Sequence, residues 1–214
     1  MNIFEVFRAA ANPAKAGPMR AYMRNQFPFL GLAAPERRAL SHNFLKDARK
    51  VEPDWAFVSQ GWAQPEREFQ YLAVAYLGQV QARLTLEDLP RLRELVTQKS
   101  WWDTVDELAG IIGYILLRYP AGNELISRWS RDENIWLRRV AIIHQLRRKE
   151  KTDPELLGRI IESNFGQTEF FINKAIGWSL REYGKTNPDW VRGFLTRHQK
   201  NISSLSLREA TRYL

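Results

Sequence analysis

Cysteine is absent from the 214 residues. Disulfides, thiolate zinc sites and thiol chemistry are thereby excluded. Histidine is scarce: His42, His144 and His198 are the only three, and no two stand at a metal-ligand spacing. That argues against a zinc hydrolase. Long apolar runs are also lacking. The longest, Leu108 to Leu117, has ten residues and is too short to cross a bilayer. The N-terminus carries Glu5 and Arg8 among its apolar residues and has no signal-peptide core, so a cytoplasmic protein is the expected default. No Gly-rich phosphate loop and no Ser-His-Asp arrangement stand out. Strand signals are few, with no sustained alternation and no Asn-Gly or Asp-Gly turn.

What is present is an ordinary globular composition with an excess of positive charge. Apolar residues make up 44% and charged residues 26% of the chain. Lys and Arg total 32 against 24 Asp and Glu, a net charge of +8. A polyanionic partner follows, most simply nucleic acid. The length suits one domain over 1–214, and a monomer is expected.

Helical periodicity runs through most of the chain. Breaks fall at Gly17-Pro18, Phe27-Pro28, Glu52-Pro53, Tyr119-Pro120 and Asn187-Pro188. Helices that open successive pairs are predicted near Pro35, Pro65, Ser100, Glu133, Thr168 and Ser204. Their spacing, roughly 30–36 residues, is that of a helical-repeat solenoid. Trp136-Leu137-Arg138-Arg139-Val140-Ala141-Ile142 can be laid over Phe171-Ile172-Asn173-Lys174-Ala175-Ile176-Gly177. The expected fold is therefore all-α: a right-handed superhelical solenoid of HEAT-like helix pairs with a basic concave face. An irregular helical bundle is the alternative.

Three helices carry the chemistry. In the first, Ser100 and Asp103 fit a capping box, which gives Asp103 a structural explanation. Trp101, Val105, Leu108, Ile112, Leu116 and Tyr119 make a core stripe. Trp102 falls on a second stripe with Asp106, Ala109 and Gly113, which reads as the wall of a shallow groove. Asp106 lies beyond the capping turn. Two readings stand for it, a functional carboxylate and a structural ion pair with a neighbouring Arg or Lys. In the second helix, Asn134 to Lys149, Asn134 is the N-cap and Arg139 sits among Ile135, Ile142 and Leu146. A guanidinium there must snorkel or find an anion, either Asp106, a phosphate or both. The run Arg147-Arg148-Lys149-Glu150-Lys151 closes this helix by complementing its dipole, and Arg148 is also a candidate phosphate contact. In the third, Thr168 to Tyr183, a basic stripe of Lys174, Arg181 and Lys185 encloses Trp178. An aromatic within cations adds a ring surface to phosphate attraction. A surface Trp covered by Lys and Arg stems is the other reading.

Side by side, these helices bring two Trp rings, one carboxylate and one Arg toward one face. A single carboxylate between aromatics suits chemistry that develops positive charge, such as cleavage of a glycosidic bond.

The same residues carry a family resemblance. Lys99-Ser100-Trp101-Trp102-Asp103-Thr104-Val105-Asp106, Asn134-Ile135-Trp136-Leu137-Arg138-Arg139 and Lys174-Ala175-Ile176-Gly177-Trp178-Ser179-Leu180-Arg181-Glu182-Tyr183 resemble the signature segments of the AlkD family of bacterial DNA alkylation-repair glycosylases. Tyr22-Met23-Arg24-Asn25-Gln26-Phe27, Pro35-Glu36-Arg37-Arg38 and Pro65-Glu66-Arg67-Glu68-Phe69-Gln70 agree as well. Several motifs in one order make the match specific. The resemblance implies a HEAT-like solenoid around duplex DNA and hydrolytic removal of cationic N3- and N7-alkylated purines, with no metal or organic cofactor. The family's catalytic Asp falls on Asp106 and its Arg on Arg139. Its two active-site Trp residues fall on Trp102 and Trp178, and a Tyr near the lesion falls on Tyr22. Further helix is expected after Leu207-Arg208-Glu209-Ala210.

An alkylated purine already carries a positive charge and leaves as a neutral base, so no strong general acid is required. No lysine is placed as a Schiff-base nucleophile, which points to a monofunctional enzyme that leaves an abasic site. Two rivals remain: a non-catalytic DNA-binding or damage-sensing solenoid, and a scaffold whose basic groove holds acidic peptides.

Overall fold

A computed structural model describes residues 2–214. Thirteen α-helices and short 3-10 turns make up the described residues, with no strand among them. The chain divides into two compact units, one up to Leu84 and one over Thr85–Leu214.

The first unit holds α1 (Ile3–Ala9), α2 (Pro13–Tyr22), α3 (Ala34–Ala48), α4 (Trp55–Ala63) and α5 (Arg67–Val80). Its core gathers Phe4, Phe7, Leu32, Phe69 and Leu72. The expected break at Gly17-Pro18 does not occur, because α2 runs through Pro18. α2 buries no residue along its length, so water can satisfy the carbonyl that Pro18 leaves without a helical donor.

The first unit also explains Arg67-Glu68-Phe69-Gln70, all four of which are buried. The Glu68 carboxylate accepts the backbone N–H groups of Leu30 (2.9 Å), Gly31 (2.9 Å) and Leu32 (3.1 Å). Three converging N–H donors are what a buried carboxylate requires. Gly31 has φ +89°, and a Cβ there would overlap the Asn12 carbonyl, so only glycine fits this loop. The Arg67 guanidinium lies 3.8 Å from the Phe27 ring centroid. Gln70 donates to the carbonyls of Gly61 (3.1 Å) and Gln64 (2.8 Å). These polar residues fasten the loops around α5 and are spent on structure.

The second unit holds α6 (Leu89–Thr97), α7 (Trp102–Arg118), α8 (Asn123–Trp129), α9 (Ile135–Ile143), α10 (Pro154–Glu162), α11 (Phe170–Gly184), α12 (Pro188–Arg197) and α13 (Ser204–Ala210). Side-chain caps at Asn134, Asp153, Asn187 and Ser203 start α9, α10, α12 and α13. α7, α9, α11 and α13 pack successively side by side, while α6, α8, α10 and α12 pack against this row. The row contains the helices that the repeat spacing anticipated near Ser100, Glu133, Thr168 and Ser204. The fold is all-helical, as expected for a helical-repeat protein.

Two glycines set the spacing of the row. A Cβ at Gly113 of α7 would overlap the His144 carbonyl at the end of α9. One at Gly177 of α11 would overlap Glu209 Cβ and lie 2.9 Å from the Ser206 carbonyl of α13. The stripe of Ala109 and Gly113 is therefore a contact face and not the wall of a groove: both are buried.

The Glu68 geometry gives a stability test. Glu68→Gln turns an amide N–H toward backbone donors and removes the charge that they share. The unfolding free energy from urea titration should fall by about 2–3 kcal/mol. Glu124→Gln, at an exposed ion pair with Arg128, should stay within about 0.5 kcal/mol of wild type. Equal effects of the two would contradict the role given to Glu68.

Candidate functional site

α7 begins at Trp102, one residue later than a Ser100 cap requires. Lys99 has φ +50°, Trp101 is the extended N-cap residue, and the cap makes no side-chain hydrogen bond. Ser100 Oγ instead donates back to the Val96 carbonyl at 2.6 Å. The expected capping box is thus not formed. Asp103 stays in the first turn, its Oδ1 accepting from Thr104 N at 3.0 Å.

One turn beyond Trp102 stands Asp106, and opposite it on α9 stands Arg139. Arg139 Nε donates to Asp106 Oδ1 at 2.7 Å and Nη2 to Oδ2 at 2.8 Å. Its Nη1 donates to the Phe171 carbonyl in the first turn of α11, at 2.6 Å. One guanidinium ties three consecutive helices of the row. The Arg139 side chain is 5% exposed and that of Asp106 16%. Asp106, one of the partners expected for Arg139, meets it by the two-pronged fit of guanidinium to carboxylate. Burial pushes the Asp106 carboxyl above the ordinary carboxylate range, against the pull of Arg139, with Glu107 and Asp103 adding to the rise.

Beneath this pair lies an aromatic cluster with one ring from each repeat. Trp101 and Trp136 have centroids 5.8 Å apart, Trp101 and Phe171 5.2 Å, and Trp136 and Phe171 4.9 Å. The alignment of Trp136 over Phe171 anticipates two of its members. Trp101 therefore serves this cluster, whereas Val105, Leu108, Ile112 and Leu116 are core. Phe171 acts through a backbone carbonyl, for which side-chain patterning offers no signal.

The basic stripe on α11 faces α13. Lys174 Nζ lies 2.6 Å from Glu209 Oε1, and Arg181 Nη1 bonds Glu209 Oε2. Trp178, between them on the same helix, is half-buried. Lys174 first and Arg181 after it hold the Glu209 carboxyl below its usual range, against desolvation. The single-helix stripes miss Glu209, although it stands 35 positions after Lys174, in step with the repeat. Lys185 pairs with Glu182 of its own helix at 2.7 Å.

The remaining candidates lie elsewhere. α9 ends at Ile143 and does not extend to Lys149, so the run from Arg147 does not close it. His144, its C-cap, is buried at the Gly113 contact, and its Nδ1 lies 2.7 Å from the Ala141 carbonyl. Burial first, and the Arg148 guanidinium second, push the His144 pKa down to about 3, so the ring is neutral. Arg148 is half-buried and donates to the carbonyl of Gly113 at 2.8 Å and to Gln145 at 3.1 Å. Burial lowers its pKa to about 10. Tyr22 is the last residue of α2 in the first unit and is 72% exposed. Among the described residues no group of three His, Asp or Glu is disposed to hold a metal ion, and no helix is long and apolar enough to cross a membrane.

Comparison with known proteins agrees with this architecture. The family model described as DNA alkylation repair enzyme matches residues 3–214. A solved structure described as a predicted DNA alkylation repair enzyme from Enterococcus faecalis is 39% identical. It superposes with a TM-score of 0.89 over 95% of this chain and 96% of its own. The crystal structure of smu.31 from Streptococcus mutans UA159, at 19% identity, has a TM-score of 0.61 over 83% of this chain and 97% of its own, and speaks to the fold alone. No curated protein matches. By the near-complete span of the family match, this chain belongs to the DNA alkylation repair enzymes.

Proposed function

We propose that the protein is a monofunctional DNA glycosylase that hydrolyses the N-glycosidic bond of N3- and N7-alkylated purines in duplex DNA, chiefly 3-methyladenine and 7-methylguanine. In this reading residues 1–214 act as one domain, the protein is a monomer, and it works in the cytoplasm on DNA. The observation that carries the proposal is the Asp106 carboxylate, fixed through both oxygens by Arg139 one helical turn from Trp102 and still partly open to solvent.

The alkylated base is cationic, so when the bond to C1′ breaks the electron pair leaves with a neutral base. The sugar is left with oxocarbenium character. Asp106 stabilises that charge and orients a water molecule, which adds to C1′ and loses its proton. The products are an abasic site, the neutral base and one proton. No acid is needed on the leaving group, and the neutral, buried His144 supplies none. Arg139 is a positioning residue: three of its five N–H groups hold Asp106 and the Phe171 carbonyl. Trp102 and Trp178 offer ring faces to sugar and backbone, with cation–π attraction for the developing charge. Arg148 and Lys185 add cations for phosphate.

A second reading gains from the same pair. A complete Asp106–Arg139 bridge is also what a purely structural contact between repeats looks like. On that reading the protein binds DNA or senses damage without releasing a base.

Base release separates the two. On randomly methylated duplex, 7-methylguanine and 3-methyladenine should be released, whereas duplexes carrying uracil or hypoxanthine should lose no base. Rapid loss of uracil would mean that the leaving group is activated, and no release at all favours the DNA-binding reading.

The pH profile follows from the raised Asp106 carboxyl. The ionised form is the active one, so activity should fall as pH drops through a value above the ordinary 3.8 of an Asp. Arg139 lowers that value, so Arg139→Gln should move the acid limb to higher pH. Single-turnover release of 7-methylguanine, corrected for spontaneous depurination, measures both. A flat acid profile, or a limb that Arg139→Gln leaves in place, would contradict the assignment.

A further inference from the structure

Lys174 and Arg181 lie one turn to either side of Trp178, and one carboxylate holds both. Each Glu209 oxygen takes one of the two cations. Glu209 is brought there by the backbone. Gly177 allows α13 to approach α11 at the closest point, and Ser206 Oγ donates to the Asn173 carbonyl at 2.8 Å to lock the two helices. Ser203 caps α13 through Ser206 N at 3.1 Å. The Glu209 side chain is 14% exposed, against 40% for Lys174 and 17% for Arg181. Glu209 and Arg181 thus meet within the helix seam, and Lys174 reaches the same carboxylate from its more open side.

The register sharpens the point. Arg139, Lys174 and Glu209 stand at equal intervals in successive repeats. The first of these cations is satisfied by Asp106 from the preceding helix, and the second by Glu209 from the following one. A carboxylate with two oxygens, each accepting from a different cation, offers Lys174 and Arg181 the same contacts as two oxygens of a backbone phosphate.

We propose that Lys174 and Arg181 form a phosphate-binding site that Glu209 occupies in the DNA-free protein, and that backbone phosphate displaces Glu209 when duplex binds. Glu209 is thus an internal competitor that weakens the grip on duplex of any sequence and limits the time spent on undamaged DNA. Binding to undamaged duplex comes almost entirely from such phosphate contacts. The inference rests on duplex DNA being the ligand of this row, as in the proposed function.

The test is a double-mutant cycle on lesion-free duplex, read by fluorescence anisotropy at several salt concentrations. Glu209→Gln keeps the shape of the side chain and removes its charge. It should bind on the order of tenfold tighter at low salt, as expected when both cations are freed for backbone phosphate. In the Lys174→Gln/Arg181→Gln background the same change should give no gain, because the cations it frees are gone. Thermal melts check that all four proteins are folded.

Weaker binding by Glu209→Gln would overturn the proposal and make Glu209 a support that orients the cations for DNA. A gain that persists without Lys174 and Arg181 would overturn it in favour of a general effect of net charge. If neither wild type nor Glu209→Gln binds duplex, this inference and the proposed function fall together. If wild type releases alkylated bases but Glu209→Gln binds no tighter, only this inference fails. If the cycle behaves as expected and no base is released, the glycosylase reading fails and the phosphate site stands.

Discussion

The second unit depends on neutralising one buried guanidinium. Arg139 is almost completely covered, and its guanidinium must be met by an anion where it sits. Asp106 supplies the charge and Phe171 an additional acceptor, so α7, α9 and α11 are fixed relative to one another at this point. Removing either charge would leave the other buried and unpaired, at a cost of several kcal/mol. The requirement that aligns three repeats also places a carboxylate with an elevated pKa at the edge of the row, beside Trp102. Structural and chemical roles are joined in that one contact, which is why its presence alone does not separate an enzyme from a binding protein.

The row around the pair is spaced by residue size. Gly113 lets α7 meet the His144 carbonyl and Gly177 lets α11 meet α13 closely, while Trp101, Trp136 and Phe171 pack together at the starts of α7, α9 and α11. Close helix contact limits how far charged residues on neighbouring helices must reach. Asp106 and Glu209 both meet their cations at hydrogen-bond distance because of it.

Much of this was legible in the sequence, and the exceptions have physical causes. Arg139 among Ile135, Ile142 and Leu146 announces a cation that must be answered, and Asp106 was one of its few candidates. The likeness of Trp136–Ile142 to Phe171–Gly177 places two helices of the row. The start of α7 was misread because Ser100 and Asp103 have the right spacing for a capping box, whereas the backbone at Lys99 turns Ser100 back toward α6. The early end of α9 has no glycine or proline to mark it. Its C-cap, His144, packs its carbonyl against Gly113 of a different helix, a contact that local sequence does not show. Small residues such as Ala109 and Gly113 signal either open space or a close helix, and periodicity does not distinguish the two. In the first unit, nothing in the local sequence marks Glu68 as buried, because its three partners are backbone N–H groups more than thirty residues away.

The central claim is that the Asp106 carboxylate performs chemistry in addition to holding Arg139. It is tested most directly by single-turnover release of 7-methylguanine from duplex DNA by Asp106→Asn, with affinity for the same duplex measured in parallel and folding verified by thermal melt. Asp103→Asn, one turn earlier on the same helix, is the control. The expected result is a rate lower by roughly 10²–10³ for Asp106→Asn, the loss typical of removing one preorganised electrostatic contact. Its duplex affinity should hold or rise, and Asp103→Asn should release base at the wild-type rate. Release by folded Asp106→Asn at the wild-type rate would contradict the account and leave the Asp106–Arg139 pair a structural bridge alone.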